Sequence, residues 1–173
     1  DFNAIDPSVL RAADGRLWLA FGSFWSGIRL VELDSATGKA KAPGREPLSL
    51  AAGPDPEAAT LAQHGDDYFL FVNRGLCCRG TNSTYEIRLG RSRAPTGPFL
   101  DRSGQDLRQG GGSLFLASDG RFIGPGHAGV GRDGTNEWIS FHFYDRERGG
   151  AATLGFRRLS WDRDGWPLVG EPI

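Results

Sequence analysis

The sequence has no methionine and only two cysteines, Cys77 and Cys78, which are adjacent. Two neighbouring cysteines cannot build a framework of several disulfides, and they lack the C-x-x-C spacing of zinc and redox motifs. They can form a ring disulfide or remain thiols, and the sequence leaves both alternatives open. Because the chain begins at Asp1 and has no methionine, we expect that an N-terminal piece was removed, lost or left out. A signal peptide can lie upstream of it.

The sequence also lacks an excess of charge of either sign and lacks long apolar runs. It holds 20 Lys and Arg against 21 Asp and Glu, for a formal net charge of -1. Charges this balanced and scattered give no electrostatic footprint for nucleic acid or for an anionic membrane surface. The apolar runs are of strand length, well short of the roughly 20 residues of a membrane helix. The composition therefore predicts a soluble protein without nucleic acid or membrane partners.

Glycine, proline and aromatic residues are plentiful, with 26 Gly, 10 Pro, 11 Phe and 5 Trp. This composition is typical of an all-β protein with many turns. Runs of β-branched and aromatic residues between Gly, Asp and Ser turns predict strands. After a first strand that follows the turn at Asp14, the predicted strands lie at 27–33, 47–51, 58–63, 68–73, 85–92, 113–118, 122–130, 137–144, 153–161 and 167–169.

One pattern of strands occurs three times along the chain. A strand with a polar residue at its start is followed by a Gly/Asp turn, an aromatic strand, a loop and a strand of mixed polarity. Trp18, Phe69 and Trp138 take equivalent places, and their spacing suits propeller blades of about 40 to 50 residues with insertions. We predict a β-propeller with three four-stranded blades, roughly 1–50, 51–108 and 109–173, as a single domain or partial propeller. A β-sandwich is the alternative, and the repetition favours the propeller.

Three titratable residues stand beside a proline or a glycine where such a strand begins: Asp6, Glu57 and His127. The inner strands of a propeller line a central axis, so we predict that the three side chains converge on one site. A pair of carboxylates in a polar cleft is typical of glycoside hydrolysis, in which one carboxylic acid protonates the leaving oxygen. The alternative is that Asp6 and Glu57 are turn or cap residues and that His127 is a buried hydrogen-bonding histidine.

Short motifs along nearly the whole chain carry a family resemblance. They are Asn-Ala-Ile-Asp-Pro at 3–7, Gly-Ser-Phe-Trp-Ser-Gly-Ile at 22–28, Cys-Cys-Arg-Gly at 77–80 with Asn-Ser-Thr-Tyr at 82–85, Gly-Arg-Ser at 90–92 with Thr-Gly-Pro at 96–98, Gly-Gly-Gly at 110–112 and Gly-Pro-Gly-His at 124–127. In this order and spacing they resemble the endo-1,5-α-L-arabinanases of glycoside hydrolase family 43.

The resemblance implies a five-bladed propeller and an inverting hydrolase with three carboxylates. By motif, Glu57 matches the general acid, and Asp6 matches the aspartate that tunes the acid and orients the substrate. His127 matches a histidine that contacts a metal ion, commonly calcium, largely through water. The expected substrate is α-1,5-L-arabinan or a related arabinofuranosyl or xylosyl polymer. The resemblance also implies a secreted or periplasmic protein.

Several loop residues are expected to contact the sugar by stacking or hydrogen bonding. The alternatives are core packing for the aromatic residues and simple exposure for the arginines. His64 and His142 are interpreted as turn and strand-face residues. The predicted substrate-binding residues are Asn3, Ser23, Phe24, Trp25, Ser26, Cys77, Cys78, Arg79, Asn82, Ser83 and Arg91.

The chain departs from the family in one respect. The family's general base lies upstream of the motif at 3–7, with which this chain begins, so about two of five blades and the base are expected to be absent. The chain can then be a fragment, a three-bladed ring or self-assembling protein, or a remnant that binds arabinan without cleaving it. If it is active, Asp6 or a partner chain's carboxylate would activate water. A homo-oligomer would cover open blade edges.

Overall fold

The computed structural model describes residues 1–172, which form an all-β structure of three four-stranded sheets. The first sheet holds β1 (Ser8–Arg11), β2 (Leu17–Phe21), β3 (Ile28–Leu33) and β4 (Leu48–Ala51) in the order β1-β2-β3-β4. The second holds β5 (Glu57–His64), β6 (Asp67–Arg74), β7 (Glu86–Ser92) and β8 (Ser113–Leu116) in the order β5-β6-β7-β8. The third, ordered β12-β11-β10-β9, holds β9 (Phe122–Asp133), β10 (Asn136–Asp145), β11 (Ala151–Trp161) and β12 (Pro167–Pro172).

The turn that precedes β2 shows how local sequence sets a strand pair. The carboxylate of Asp14 accepts the backbone N–H of Arg16 at 3.0 Å, and Gly15 takes a φ of 83° that suits glycine. The chain therefore reverses, and β2 pairs antiparallel with β1, with Leu17 opposite Arg11. Every other neighbouring pair of strands in the first and third sheets is antiparallel as well.

The chain divides into two compact units. Unit 1 comprises residues 1–72 and 89–113, and unit 2 comprises residues 73–88 and those from 114 onward. In unit 1 an apolar cluster contains Trp18, Leu30, Leu70 and Phe99, and each of these side chains is at most 5% exposed. In unit 2 the alternating residues Ile139, Phe141 and Phe143 of β10 are buried. This alternation places one face of β10 in the core of unit 2.

Most of the predicted strands are confirmed within one or two residues at each end, and β1 is an additional strand that the sequence patterns did not single out. The described part of the chain contains only 3-10 helices of three residues, at Gly80–Asn82, Leu107–Gln109 and Arg146–Arg148. None of its helices has the length and apolarity to cross a membrane.

The strand predicted at 113–118 does not open the third group of strands. It is β8, at the edge of the second sheet, so the third sheet begins at Phe122 and not at the predicted residue 109. The carboxylate of Asp101 explains the return of the chain. It accepts the backbone N–H groups of Ser103, Gln105 and Gly112 at 2.9, 3.0 and 3.0 Å. The segment 101–112 is thereby closed into a loop that ends where β8 starts.

Asp101 provides a test of this loop. Burial alone would raise the pKa of Asp101, but hydrogen bonds from Gly112, Ser103 and Gln105 lower it to about 2. Because the folded pKa lies below the unfolded value of roughly 3.9, ionised Asp101 stabilises the fold above about pH 4, and this contribution is lost as pH falls towards 2. We expect Asp101→Asn to lower the free energy of unfolding at pH 7 by up to about 2 kcal/mol.

Urea unfolding at several pH values would measure the effect. The difference between wild type and Asp101→Asn should shrink between pH 4 and pH 2, while the exposed Asp119, changed to Asn as a matched control, should show no such trend. An Asp101→Asn penalty that is the same at pH 7 and pH 2 would contradict the role of the carboxylate.

Candidate active site

Backbone conformation singles out a small set of residues in the described chain. Seven residues other than glycine have positive φ angles between 42° and 63°. This left-handed region costs roughly 1–2 kcal/mol per residue with a side chain, and such strain tends to concentrate at functional sites. The set is Asp6, Phe24, Trp25, Asp55, Ala58, Cys78 and His127. Five of these were predicted as site residues from the sequence, and the other two flank Glu57.

Unit 1 brings the two predicted carboxylates to one turn. The carboxylate of Asp6 accepts the backbone N–H of Ala58 at 3.1 Å, and the hydroxyl of Ser23 donates to Oε2 of Glu57 at 3.2 Å. Ala58 has a φ of 52° and is buried, so its N–H points away from an ordinary strand ladder and towards Asp6. Asp6 and Glu57 are both partly exposed. A partly exposed carboxyl group with a hydroxyl neighbour can exchange a proton with a bound ligand.

The loop at 22–27 packs against the same turn. Phe24 donates its backbone N–H to the carbonyl of Pro56 at 3.0 Å, and Gly22 donates to the carbonyl of Ile5 at 2.9 Å. A side chain at Gly22 would collide with the backbone of Gly27, so the loop can close only with glycine there. The closed loop leaves Trp25 73% exposed and Phe24 37% exposed. These aromatic side chains are on the surface of unit 1 and are not core residues.

Unit 2 holds His127 in a bulge of β9. Ser140 pairs with Gly129 and His142 pairs with Gly126, so β9 has one more residue than β10 over this stretch. A β-bulge re-aims a side chain, and His127 is exposed with a φ of 53°. The predicted alternative of a buried histidine is therefore wrong for His127. Its convergence with Asp6 and Glu57 stays a prediction.

Asn73 fixes the backbone at this bulge. It is fully buried at the end of β6, and its Oδ1 accepts the N–H of His127 at 2.8 Å. Its Nδ2 donates to the carbonyls of Pro125 and Glu86 at 3.1 and 2.9 Å. One amide side chain thus satisfies three backbone groups, two of which belong to the motif that carries His127.

Cys77 and Cys78 form a disulfide, which resolves the alternative that the sequence left open. Cys78 has a φ of 63° and is exposed. Its backbone N–H donates to the hydroxyl oxygen of the buried Tyr144 at 2.9 Å, and Sγ of Cys77 lies 3.7 Å from the same oxygen. The phenol group of Tyr144 therefore attaches the disulfide to β10.

His142 lies on the same strand, as expected of a strand-face residue. Its ring stacks on Tyr85 at 5.8 Å between centroids and meets Tyr144 edge-on at 5.7 Å. Burial lowers the pKa of His142, and the charge of His127 lowers it further. Within residues 1–172 its Nε2 has no hydrogen-bond partner. A neutral imidazole is the form that these surroundings favour.

The described residues supply little to hold the predicted calcium ion. Among residues 1–172 there is no group of three or more His, Cys, Asp and Glu side chains placed to bind a metal. Calcium prefers six to eight oxygen ligands, and His127 offers one nitrogen. An ion near His127 would depend on water for most of its ligands, and the calcium site stays a prediction.

The other predicted binding residues have varied surroundings. The Ser26 hydroxyl accepts Nε of Arg29 at 3.2 Å, and the buried Ser83 donates to the carbonyl of Leu76 at 2.7 Å. Arg91 lies 3.9 Å from Asp67. Ser83 and Ser26 are thus engaged within the protein. Asn3 is half-buried, and Arg79 and Asn82 are exposed.

Sequence reasoning missed three residues that shape these surroundings: Asn73, Tyr144 and Ala58. The sequence patterns identify Asn73 and Tyr144 only as parts of strands. An asparagine that ends the apolar run 68–72 was a signal for a polar role, since the strand around it is buried. Nothing in the sequence pointed to the positive φ of Ala58, because alanine rarely adopts it.

Removing the Asn73 side chain tests its role. Asn73→Ala would leave the N–H of His127 and two carbonyls without their partner in a buried place. Each unsatisfied buried group costs about 1–3 kcal/mol, and partial relaxation should limit the total loss of unfolding free energy to about 2–4 kcal/mol. Chemical denaturation would measure it, with the exposed Asn82→Ala as control, expected to change by less than roughly 0.5 kcal/mol. Equal losses in the two variants would refute the role of Asn73.

A family model and the curated relatives point to the same family for this chain. The family model of glycosyl hydrolases family 43 matches residues 1–167. The chain is 36% identical to the extracellular exo-α-(1→5)-L-arabinofuranosidase ArbA of Cellvibrio japonicus, over 98% of this chain and 52% of that protein. It is 42% identical to the extracellular endo-α-(1→5)-L-arabinanase 1 of Bacillus subtilis, over 96% of this chain and 51% of that protein.

Solved structures agree with these relatives. An exo-1,5-α-L-arabinanase from a bovine ruminal metagenomic library superposes with a TM-score of 0.92 at 36% identity, covering 98% of this chain and 57% of that chain. The Cellvibrio cellulosa α-L-arabinanase complexed with arabinohexaose superposes with a TM-score of 0.91 at 35% identity, covering 97% and 57%. The chain spans about half the length of the curated relatives it matches. With its sequence and its three sheets both matched, the chain belongs to glycosyl hydrolases family 43.

Proposed function

We propose that this chain is part of a glycoside hydrolase that cleaves α-1,5-L-arabinan or a related arabinofuranosyl polymer. The observation that carries the proposal is the contact of the Asp6 carboxylate with the turn that carries Glu57 in unit 1. The Asp6 carboxylate accepts a hydrogen bond from the Ala58 N–H, and the Ser23 hydroxyl donates one to the carboxylate of the neighbouring Glu57. The names of the relatives support the substrate, since they are arabinanases and an arabinofuranosidase, and one solved relative is complexed with arabinohexaose.

In the proposed reaction Glu57 is the general acid and protonates the leaving glycosidic oxygen. Asp6 is the supporting carboxylate, which positions Glu57 through the Ala58 N–H and so keeps the acid at one place on the turn. Hydrolysis with inversion needs a base about 6.5–9.5 Å from the acid, with a water between them. The resemblance places that base N-terminal to the motif at 3–7, and we assign no residue of this chain to the role.

The exposed aromatic residues of the loop at 22–27 are the proposed sugar platform. Trp25 and Phe24 are exposed on the surface of the unit that holds Glu57, and aromatic side chains can stack on sugar rings. Polar contacts from Asn3, Arg79 and Asn82 are proposed for the sugar hydroxyls. His127 would hold a calcium ion mainly through water, and no step of the proposed hydrolysis runs through that ion.

The three sheets are proposed to be three blades of a five-bladed propeller. The high TM-scores with arabinanase structures support this architecture. Exposed apolar side chains on the first and third sheets, such as Val9 (58%) and Leu154 (64%), support a partner surface that covers them. Further blades or a second copy of the chain can supply it. Secretion is proposed because two relatives are named extracellular.

A second candidate function is arabinan binding without cleavage. The exposure of Trp25 and Phe24 favours it, because aromatic side chains can bind a sugar without taking part in its cleavage. Calorimetry with arabino-oligosaccharides and a reducing-sugar assay on the same sample separate the two functions. Turnover supports the hydrolase, and binding without turnover supports the second function.

Glu57→Gln is the direct test of the proposed acid. The amide cannot donate a proton in the same way, so we expect the turnover of arabinan to fall by about 10²–10⁴-fold. An aryl arabinofuranoside with a good leaving group needs little protonation and should lose much less. The exposed Glu46→Gln is the matched control and should keep wild-type turnover. Unchanged arabinan hydrolysis by Glu57→Gln would exclude Glu57 as the acid.

A further inference from the structure

The segment 75–84 of the loop between β6 and β7 is tied at its base by hydrogen bonds. We call it the cysteine loop. The carbonyl of Leu76 accepts the hydroxyl of Ser83 at 2.7 Å and the N–H of Thr84 at 3.2 Å, and the N–H of Leu76 donates to the hydroxyl of Thr84 at 3.0 Å. A side chain at Gly75 would collide with the Thr84 carbonyl. The base of the loop therefore stays closed independently of its cysteines.

The tip of the cysteine loop is held differently. The Cys77–Cys78 disulfide closes a small ring that includes the peptide bond between them. Within that ring Cys78 has a φ of 63°, which is unfavourable for a residue with a side chain. This conformation aims the Cys78 N–H at the hydroxyl of Tyr144. Without the ring, little on the loop itself would keep Cys78 in the left-handed region.

The same loop touches the segment that carries His127. A side chain at Gly124 would collide with the Ser83 side chain of the loop, so the Gly124 backbone lies directly against that side chain. Gly124 begins the motif whose Pro125 carbonyl and His127 N–H both bond to Asn73. Asn73 in turn lies two residues before the loop. Tyr144, Ser83 and Asn73 therefore connect the disulfide to the His127 bulge within unit 2.

We infer that the Cys77–Cys78 disulfide is a redox-sensitive clasp whose state sets the position of His127. The reductant class is a dithiol. Two electrons pass from the dithiol to the S–S bond, which breaks, each cysteine sulfur takes one proton, and the dithiol closes to its own disulfide. Exposure of Cys78 gives the reductant access. The closed form is the one expected in an oxidising compartment.

Opening the clasp changes the loop in a defined order. Cys78 leaves the left-handed region, its N–H turns away from Tyr144, and the tip of the loop loses its attachment to β10. Ser83 and Gly124 are in contact, so the segment 124–127 shifts with the loop. This inference uses contacts within unit 2 only and does not depend on Glu57 acting as a catalytic acid.

NMR of the full chain with labelled histidine tests the clasp. Spectra at one fixed pH are compared before and after dithiothreitol, with thiols counted by a colorimetric reagent and the fold followed by circular dichroism. We expect reduction to move the His127 imidazole resonances and reoxidation to restore them, while those of His64 in unit 1 stay unchanged. The Cys77→Ser/Cys78→Ser variant should not respond to dithiothreitol.

Tyr144→Phe is the second variant, because it keeps the disulfide and removes the hydroxyl that accepts Cys78. It should reduce the response of His127 to dithiothreitol by more than half. Reduction that frees both thiols without moving His127 would overturn the inference. So would a response of the double cysteine variant, a full response in Tyr144→Phe, or loss of the folded spectrum on reduction, which would make the disulfide only structural.

Discussion

The structure depends on backbone N–H groups that take no part in the backbone hydrogen bonding between neighbouring strands. Instead, they donate to acceptors from distant parts of the chain. Four of the positive-φ residues share this arrangement, with donor–acceptor distances of 2.8–3.1 Å. The pairs are Phe24 with the carbonyl of Pro56, Ala58 with the carboxylate of Asp6, Cys78 with the hydroxyl of Tyr144, and His127 with the side-chain oxygen of Asn73. In each pair the acceptor offsets a conformation that the residue alone would avoid.

These hydrogen bonds explain how the candidate residues keep a fixed backbone conformation in loops and at the ends of strands. A left-handed residue costs roughly 1–2 kcal/mol, and a hydrogen bond contributes roughly 0.5–1.5 kcal/mol, so each pair is close to balance. The strain therefore persists only while the partner is present. Removing Asp6 or Asn73 is expected to release the backbone next to Glu57 or His127 and not merely to delete one side chain.

Local sequence predicted much of the fold, since alternation and turn residues determine where most strands lie. The membership of β8 could not be predicted, because the pairing of an edge strand depends on the loop that Asp101 closes. In the candidate site, Asp6, Glu57 and His127 were found beside Pro and Gly. Asn73 and Tyr144 were not, because the His127 and Cys78 amides that they bind lie more than fifty residues away in sequence and a single chain carries no signal of that contact.

Hydrogen exchange at the amide of Ala58 tests the central claim most directly, because Asp6 is the group said to hold it. Changing Asp6→Ala should speed exchange at Ala58 by about tenfold, the equivalent of one hydrogen bond of about 1.4 kcal/mol. The Leu61 amide, held by the Ser8 hydroxyl, should keep its rate, and the exposed Asp119→Ala should affect neither. An Ala58 exchange rate that is the same in wild type and Asp6→Ala would contradict the account.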